Sequence, residues 1–229
     1  MKSCSTGRNP RISIGLRLLA VMALTIPTTG CLNYLIAAAY FIGGPPSIEP
    51  VFDKETKKSM TDKGVTVAVV CFAPNEVKYT FDNIDKELGK YVTYRLHGKN
   101  IKVFNPDVVN KWLDEHDDWD KPEQIGAALD ATYVVFIDLH TYTLFAENSV
   151  NLYQGRAECL VSVFEMNEDD SADRIFSKEI NSKYPLAVPR ETSETTYSTF
   201  KRQYLSRFSE EIGRLFYEYY NDEDIDHAT

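Results

Sequence analysis

The apolar positions between residues 64 and 220 follow two different periods, and each period predicts one kind of element. Residues 65–72 form an almost continuous β-branched and apolar run, which is typical of a strand covered on both faces. From residue 81 to residue 96, apolar residues recur every three or four positions with charged residues between them. This spacing predicts an amphipathic helix, so the folded part of the chain begins with a strand followed by a helix.

The same patterns predict the remaining elements in the order strand-helix-strand-helix-helix-strand-strand-strand-helix. The later strands are predicted at 101–104, 132–144, 155–166 and 174–182, and the later helices at 106–113, 120–131 and 196–220. Such an order predicts an α/β fold with a mixed sheet of about five strands and helices packed on it. We interpret residues 64–221 as a single α/β domain and residues 222–229 as a disordered acidic tail.

Residues 1–31 follow a different pattern, with a basic start, a short apolar run and small residues before a cysteine. The basic residues are Lys2, Arg8, Arg11 and Arg17, the apolar run is 18–24, and the segment ends at Gly30-Cys31. This layout is typical of a secretory signal peptide, and its Gly-Cys ending resembles the signal of a bacterial lipoprotein. The resemblance implies that residues 1–30 are removed and that Cys31 is lipidated.

Two alternatives for this segment remain open. It could be an ordinary secretory signal cut elsewhere, or an uncleaved membrane anchor that extends into the second apolar stretch, residues 32–44. The first apolar run alone is shorter than the ~20 residues that a spanning helix requires. Under the lipoprotein interpretation, the acyl chains and residues 32–44 together attach the chain to a bilayer. Leu32 after the cysteine favours outer-membrane delivery by the same resemblance, with the domain facing the periplasm.

A break at Gly43-Gly44-Pro45-Pro46 follows the apolar stretch. Residues 45–63 are polar and contain proline, and we expect them to form an extended, flexible tether. In the domain boundaries predicted here, residues 31–63 therefore comprise an anchor-proximal apolar segment and this tether.

The charge of the chain excludes one class of partner. Removal of residues 1–30 takes away four basic residues and no acidic one, which leaves 21 basic against 34 acidic residues and a formal charge of −13. Such a surface repels phosphate backbones, so we expect no nucleic-acid binding. The four histidines are scattered and no Cys-x-x-Cys motif occurs, so the sequence predicts no metal site and no cofactor.

Cys71 and Cys159 each lie within an apolar strand pattern. A buried free cysteine behaves there as a small hydrophobic residue, although an oxidising envelope also permits a disulfide between the two. Asp138, His140 and Tyr142 alternate along one predicted strand and so are expected on one face, where a Cys-His-Asp site with Cys71 is conceivable. No nucleophile motif accompanies them, and we expect a protein that is not an enzyme.

Two other polar clusters favour solvated surface over metal binding. His116 lies within the charged run 115–118, where adjacent residues of a helix point in different directions. Asp169, Asp170 and Asp173 lie in the predicted hairpin loop, which lacks the glycine of an EF-hand turn.

Aromatic residues cluster at the end of the last predicted helix, between residues 216 and 220. Helical spacing predicts that Phe216 and Tyr219 are buried and that Tyr217 and Tyr220 point outward. Exposed tyrosines are common in contact surfaces, so Tyr217 and Tyr220 are a candidate partner surface, with ordinary partial burial as the alternative.

The succession of apolar strands around a small-residue helix resembles a domain of bacterial envelope proteins. The residues concerned are 67–72, 125–135, 161–165 and 175–178. The resemblance is to the curli secretion lipoprotein, the penicillin-binding-protein activator lipoproteins and the amino-terminal domain of the Tol-Pal periplasmic protein. Residues 43–50 are also similar to uncharacterised planctomycete lipoproteins. The first group implies a scaffold, activator or secretion role without catalytic residues, but no long alternating strand pair suited to a barrel is present.

Taken together, the patterns predict a lipid-tethered, non-catalytic envelope protein whose α/β domain binds another envelope component. One alternative is a self-associating subunit of an oligomeric secretion complex. The other is an envelope hydrolase that uses Cys71 or His140.

Overall fold

The structure is a computed structural model that describes residues 47–116 and 118–220. The predicted signal, Cys31, the apolar segment after it and the predicted acidic tail lie outside the described residues. Asp117, in the charged run around His116, also lies outside them.

A mixed sheet of five strands forms the centre of the described part. The strands of the chain are β1 (Ser47–Ile48), β2 (Val67–Phe72), β3 (Tyr133–Phe145), β4 (Leu152–Met166), β5 (Ala172–Tyr184), β6 (Arg190–Glu191) and β7 (Tyr219–Tyr220). The main sheet has the order β2-β3-β4-β5, and β6 pairs with β4 beyond the end of β5. Strands β2 and β3 are parallel, and the other pairs are antiparallel.

Helices cover both faces of this sheet. They are α1 (Val51–Thr56), α2 (Asn75–Thr80), α3 (Ile84–Gly98), α4 (Pro106–Glu115), α5 (Pro122–Leu129) and α6 (Tyr197–Gly213). Within residues 47–116 and 118–220, none of these helices has the length and apolar character needed to cross a membrane. The predicted α/β class, with helices packed on a mixed sheet, is confirmed.

The two faces of the sheet bury cores of different size. The larger core lies under α1, α3 and α6 and contains the odd-numbered β2 residues, including Val69 and Cys71. The smaller core lies under α4 and α5 and contains Ala68 and Val70. Because successive strand residues point to opposite faces, this division explains why the β2 sequence is apolar at every position from 67 to 71.

The strand predicted at 101–104 is reduced to a single parallel bridge between Val103 and Val67. Its pairing stops because Asn105 caps α4, with its side chain accepting a hydrogen bond of 2.8 Å from the Asp107 amide. Pro106 then occupies the first turn of α4, where its missing N–H and fixed φ suit a helix start. The fifth strand of the sheet is instead β6, which the sequence analysis did not predict.

The segment predicted as the end of the tether belongs to the domain in the structure. Strand β1 pairs antiparallel with β7, and α1 places the fully buried Phe52 against the rings of Tyr133, Phe176 and Phe216 at 5.6–5.9 Å between centroids. Met60 is also buried. Polar composition predicted an extended chain, but these two apolar side chains fix residues 50–60 to the larger core.

Candidate functional site

A cleft of about 570 Å³ opens beside the outer edge of β2. Its floor is formed by β2 and by the neighbouring part of β3, and its two walls are formed by α2 with α3 and by α4 with the loop after it. The residues that line it are Val69, Cys71, Phe72, Lys78, Asp85, Lys86, Gly89, Lys90, Pro106, Val109, Asn110, Leu113, Asp114, Trp119, Asp120, Phe136 and Asp138. This volume lies in the range of ligand pockets, and the cleft reaches the carboxyl ends of two parallel strands, where α/β proteins commonly bind ligands.

The cleft lies where the next strand of the sheet would continue. Val67 donates a backbone hydrogen bond to Lys102 and accepts one from Phe104, both at 2.9 Å, on the edge of β2 away from β3. Every second residue of a strand directs its N–H and C=O to the same edge. The backbone groups of Val69 and Cys71 therefore also face this edge, and the chain after Phe104 has already turned into α4.

The two walls of the cleft carry opposite charge. The wall formed by α2 and α3 presents Lys78, Lys86 and Lys90 against one acidic residue, Asp85. The wall formed by α4 and the loop after it presents Asp114 and Asp120, and no basic residue of that wall lines the cleft. The site thus combines a basic side and an acidic side around a floor that is mostly apolar but includes Asp138.

Ion pairs join the walls across the mouth of the cleft. Lys86 Nζ lies 2.5 Å from Asp114 Oδ1, and Lys90 Nζ lies 3.9 Å from Asp107 Oδ1. The Lys86 and Asp114 side chains are 36% and 60% exposed. Exposed pairs of this kind contribute about 0–1 kcal/mol, so they hold the walls together weakly.

Aromatic rings complete the end of the cleft near β3. Trp119 packs edge-on against Phe136, with 6.1 Å between the ring centroids. Phe72 is 43% exposed, and Lys78 Nζ lies 5.7 Å from its ring centroid. Because Phe72 is the residue that ends β2, its exposure marks the point at which helices stop covering the sheet.

The structure brings together only part of the candidate Cys-His-Asp set. His140 Nε2 lies 3.4 Å from Asp138 Oδ2 at the open end of β3. A register shift between Leu139 and Thr141 places Tyr142 in the larger core, so the expectation that Tyr142 shares a face with Asp138 and His140 is wrong. Strict alternation failed because a β-bulge inserts one extra residue into the strand.

The environment of Cys71 does not favour a nucleophile. Burial raises the pKa of the Cys71 thiol well above its ordinary value, and the nearby Asp85 carboxylate adds to that rise. The Cys71 Sγ donates to the Phe72 carbonyl oxygen at 3.8 Å, and no bond to His140 is formed by it among the described residues. Cys71 and Cys159 are both free and buried, and burial raises the pKa of Cys159 to about 12.

The other polar clusters have local structural partners. The His116 ring stacks on Trp112 at 4.3 Å between centroids, and its Nδ1 lies 2.8 Å from the Trp112 carbonyl oxygen. Asp169 accepts hydrogen bonds from the side chain and backbone of Ser171, which lower the pKa of its carboxyl group. No group of three or more metal-ligating side chains suited to an ion is found in the part of the chain that the structure describes.

Only one of the two tyrosines proposed as a partner surface is exposed. Tyr220 is 43% exposed, whereas Tyr217 is 3% exposed, so the prediction that Tyr217 points outward is wrong. Helix α6 ends at Gly213 rather than continuing to residue 220. The chain then turns, and the Tyr217 ring packs close to Gly213 and Arg95, a position that helical spacing could not indicate.

Sequence reasoning also missed the cleft itself. Lys86 and Lys90 lie among the charged residues of the helix predicted over 81–96, and residues in such positions are usually solvated. A signal was present, because Asn105-Pro106 follows the predicted strand 101–104 at once. A strand cut short by a helix start leaves the edge of its neighbour unpaired.

The comparisons with known proteins give structural similarities only. No family model and no curated protein matches the chain. Similar solved structures include the lipoprotein GNA1162 from Neisseria meningitidis, with 11% identity, a TM-score of 0.41 and coverage of 65% of this chain and 97% of that one. The hypothetical protein CT253 from Chlamydia trachomatis has 15% identity, a TM-score of 0.41 and coverage of 66% and 96%.

A PelC dodecamer from Paraburkholderia phytofirmans has 9% identity, a TM-score of 0.43 and coverage of 75% and 95%. A bacterial lipoprotein is thus among the structures similar to this chain. With identities of 15% or less and TM-scores below 0.5, these similarities assign the chain neither a family nor a function.

Proposed function

We propose that this protein is a lipid-anchored, non-catalytic component of a bacterial envelope, held at Cys31, whose α/β domain binds another envelope component. The observation that carries the proposal is the sequence of residues 1–31, in which four basic residues, an apolar run and small residues precede Cys31. The anchor and the domain that it holds then have separate tasks.

The distance between the anchor and the domain follows from the start of the fold. Strand β1 begins at Ser47, so residues 32–46 separate the lipidated cysteine from the domain. A fully extended chain spans at most ~3.3–3.6 Å per residue, which limits the reach of this segment to roughly 50 Å, and to less where residues 32–44 attach to the bilayer. We therefore expect the domain to bind components near the membrane surface.

A binding role is supported by the cleft beside β2. It has opposite charges on its two walls and a floor that is apolar apart from Asp138, and its one cysteine has a raised thiol pKa. These properties suit recognition of a ligand better than nucleophilic chemistry, because the thiolate is the reactive form of cysteine.

The anchor is tested by metabolic labelling of the full chain with an alkyne analogue of palmitate, followed by membrane fractionation. Wild type is expected to carry label in the membrane fraction, and Cys31→Ser is expected to lose the label. Cys4→Ser is the matched control and is expected to label like wild type. Undiminished labelling of Cys31→Ser, or an unlabelled wild type in the cytoplasmic fraction, would overturn the proposal.

A further inference from the structure

We infer that the cleft binds an extended peptide segment with alternating acidic and basic residues, which adds to the outer edge of β2 as a new strand. The inference deepens the proposed function and rests on it in taking the envelope component to be a protein. Four features of the cleft lead to it.

The first feature is a strand edge with unused hydrogen-bonding groups. The N–H and C=O groups of Val69 and Cys71 face the cleft, and within residues 47–116 and 118–220 no backbone or side-chain group bonds to them there. A strand edge with unpaired backbone groups is a template for pairing with another chain. Strand addition pairs them, because the main chain of an extended peptide presents the complementary donors and acceptors.

The second feature is the space at this edge. Helix α3 packs on the larger-core face of β2, where Leu88 and Val92 join Val69. Helix α4 packs on the opposite face, where Val109 joins Val70. Between the two helices, which contact each other at the mouth, a cavity runs along this edge, and Gly89 of α3, which has no side chain, lines it beside Cys71. The open position coincides with that of the strand that stops at Val103.

The third feature is the opposite charge of the two walls. Successive side chains of a strand point to opposite faces, so an added strand would direct every second side chain toward α3 and the others toward α4. The α3 side offers Lys86 and Lys90, which suit acidic side chains. The α4 side offers Asp114 and Asp120, which suit basic side chains. Alternating charge in the ligand therefore matches both walls at once.

The fourth feature is the weakness of the ion pairs at the mouth. The pairs Lys86–Asp114 and Lys90–Asp107 lie at exposed positions, where an ion pair contributes about 0–1 kcal/mol. An alternating peptide replaces each of these pairs by two new ones, because its acidic residue meets the lysine and its basic residue meets the aspartate.

The test uses the full chain in detergent micelles and two fluorescently labelled probes of equal composition. One is acetyl-(Glu-Lys)₃-amide, and the other is acetyl-Glu₃-Lys₃-amide, in which the charges are in blocks. We expect the alternating probe to bind at least about tenfold more tightly, a difference of roughly 1.4 kcal/mol, as measured by fluorescence anisotropy at low salt. Equal binding of the two probes, or binding of neither, would overturn the inference.

Backbone methylation of the alternating probe tests strand pairing itself. N-methyl groups on every second residue remove donors on one edge of the peptide only. Methylation of the alternate residues whose N–H groups face β2 is expected to reduce affinity at least about tenfold, and methylation of the other residues is expected to leave it within about twofold. Equal losses for the two sets of residues would show charge attraction without strand addition and would contradict the inference.

A variant pair ties binding to the cleft. Asn110 lines the cleft, and Asn110→Trp is expected to fill it and to abolish binding of the alternating probe. Val108, on the same helix, is 47% exposed and is absent from the lining, so Val108→Trp is the matched control and is expected to bind normally. Circular dichroism verifies that both variants are folded. Binding by Asn110→Trp, or loss of binding in both folded variants, would contradict the inference.

Deletion of residues 221–229 tests whether the C-terminal segment of the chain itself, and not a partner peptide, binds in the cleft. If the probe binds only after this deletion, the C-terminal segment of the chain itself occupies the cleft, and the inference is wrong. The outcomes are independent of the anchor: unlabelled Cys31 with normal probe binding defeats the proposed function alone, and normal labelling without probe binding defeats this inference alone.

Discussion

The side of the sheet under α6 and the outer edge of β2 are built from the same kinds of elements but are closed to different degrees. Under α6, Phe200 stacks on Tyr153 and Tyr204 stacks on Tyr142, with 4.8 and 5.6 Å between ring centroids. At the β2 edge, the two flanking helices meet at the mouth of the cleft, through the Lys86–Asp114 and Lys90–Asp107 pairs, and leave a cavity against the strand. The comparison shows that a cleft forms where the neighbouring strand ends early, although helices still pack on both faces of the sheet.

Close backbone contact explains why the α6 side is closed. Gly155 of β4 lies directly under the Tyr204 ring, and a Cβ atom at this position would lie 2.4 Å from Tyr204 Cγ. Only glycine permits this approach. At the β2 edge, a Cβ atom added to Gly89 would lie 3.7 Å from Cys71 Cβ, which is an ordinary contact. The missing side chain of Gly89 therefore leaves space beside Cys71.

The largest expected effect is that of opening the closed side. Tyr204→Ala removes a fully buried ring and is expected to lower the free energy of unfolding by about 3–5 kcal/mol, because a large aromatic residue leaves a cavity. Urea unfolding measures the change. Tyr79→Ala is the matched control, since Tyr79 is 95% exposed, and it is expected to stay within about 0.5 kcal/mol of wild type. Similar losses in the two variants would refute the comparison.

The reactivity of the two thiols gives a second test of this difference, because Cys159 lies in the closed core and Cys71 at its border with the cleft. Burial raises the pKa of Cys159 from 9.0 to about 12, which corresponds to about a thousandfold less thiolate at pH 8. In a Cys4→Ser/Cys31→Ser chain, we expect iodoacetamide to alkylate both native thiols at least about a hundredfold more slowly than the urea-unfolded thiols.

A Tyr79→Cys variant of the same chain provides an exposed thiol as the control and is expected to react rapidly. Fast alkylation of Cys71 in the folded protein would contradict this prediction and would favour the hydrolase alternative. The sign of the pH dependence follows as well. Because folding raises the thiol pKa values, the unfolded state loses its protons first, and stability falls as the pH rises above about 9.

The smallest expected effect concerns the ion pair across the open edge. A double-mutant cycle with Lys86→Met and Asp114→Ala is expected to give a coupling of less than about 1 kcal/mol in urea unfolding, since both side chains are exposed. The coupling is expected to fall further in 1 M NaCl because salt screens exposed charges. A salt-independent coupling above about 2 kcal/mol would mean that the cleft is held shut.

Much of the fold could be predicted because it rests on local patterns. The apolar run of β2 indicated coverage on both faces, and Pro106 marked the start of α4. The hairpin of β4 and β5 followed from two strand patterns around an acidic turn. In each case neighbouring residues in the sequence carry the information, since strand and helix periods are properties of contiguous segments.

The rest depended on contacts between distant residues. Phe52 is isolated in a polar segment, and only the rings of Phe176 and Phe216 show that it belongs to the core. The bulge after Leu139 is defined by pairing with β4, and the burial of Tyr217 follows from the turn after α6. Each of these features requires a partner that the local pattern does not contain.

Short-range patterns suffice to predict the α/β class, the covered strand β2 and the lipoprotein-like character of residues 1–31, because periodicity and composition act over short stretches. Contacts between distant residues were needed to show that residues 50–60 join the domain and that β2 has an unpaired edge beyond Val67, between a basic and an acidic wall. A strand has a free hydrogen-bonding edge when no neighbouring strand pairs with it there, and the sequence of the strand itself does not show whether such a neighbour is present.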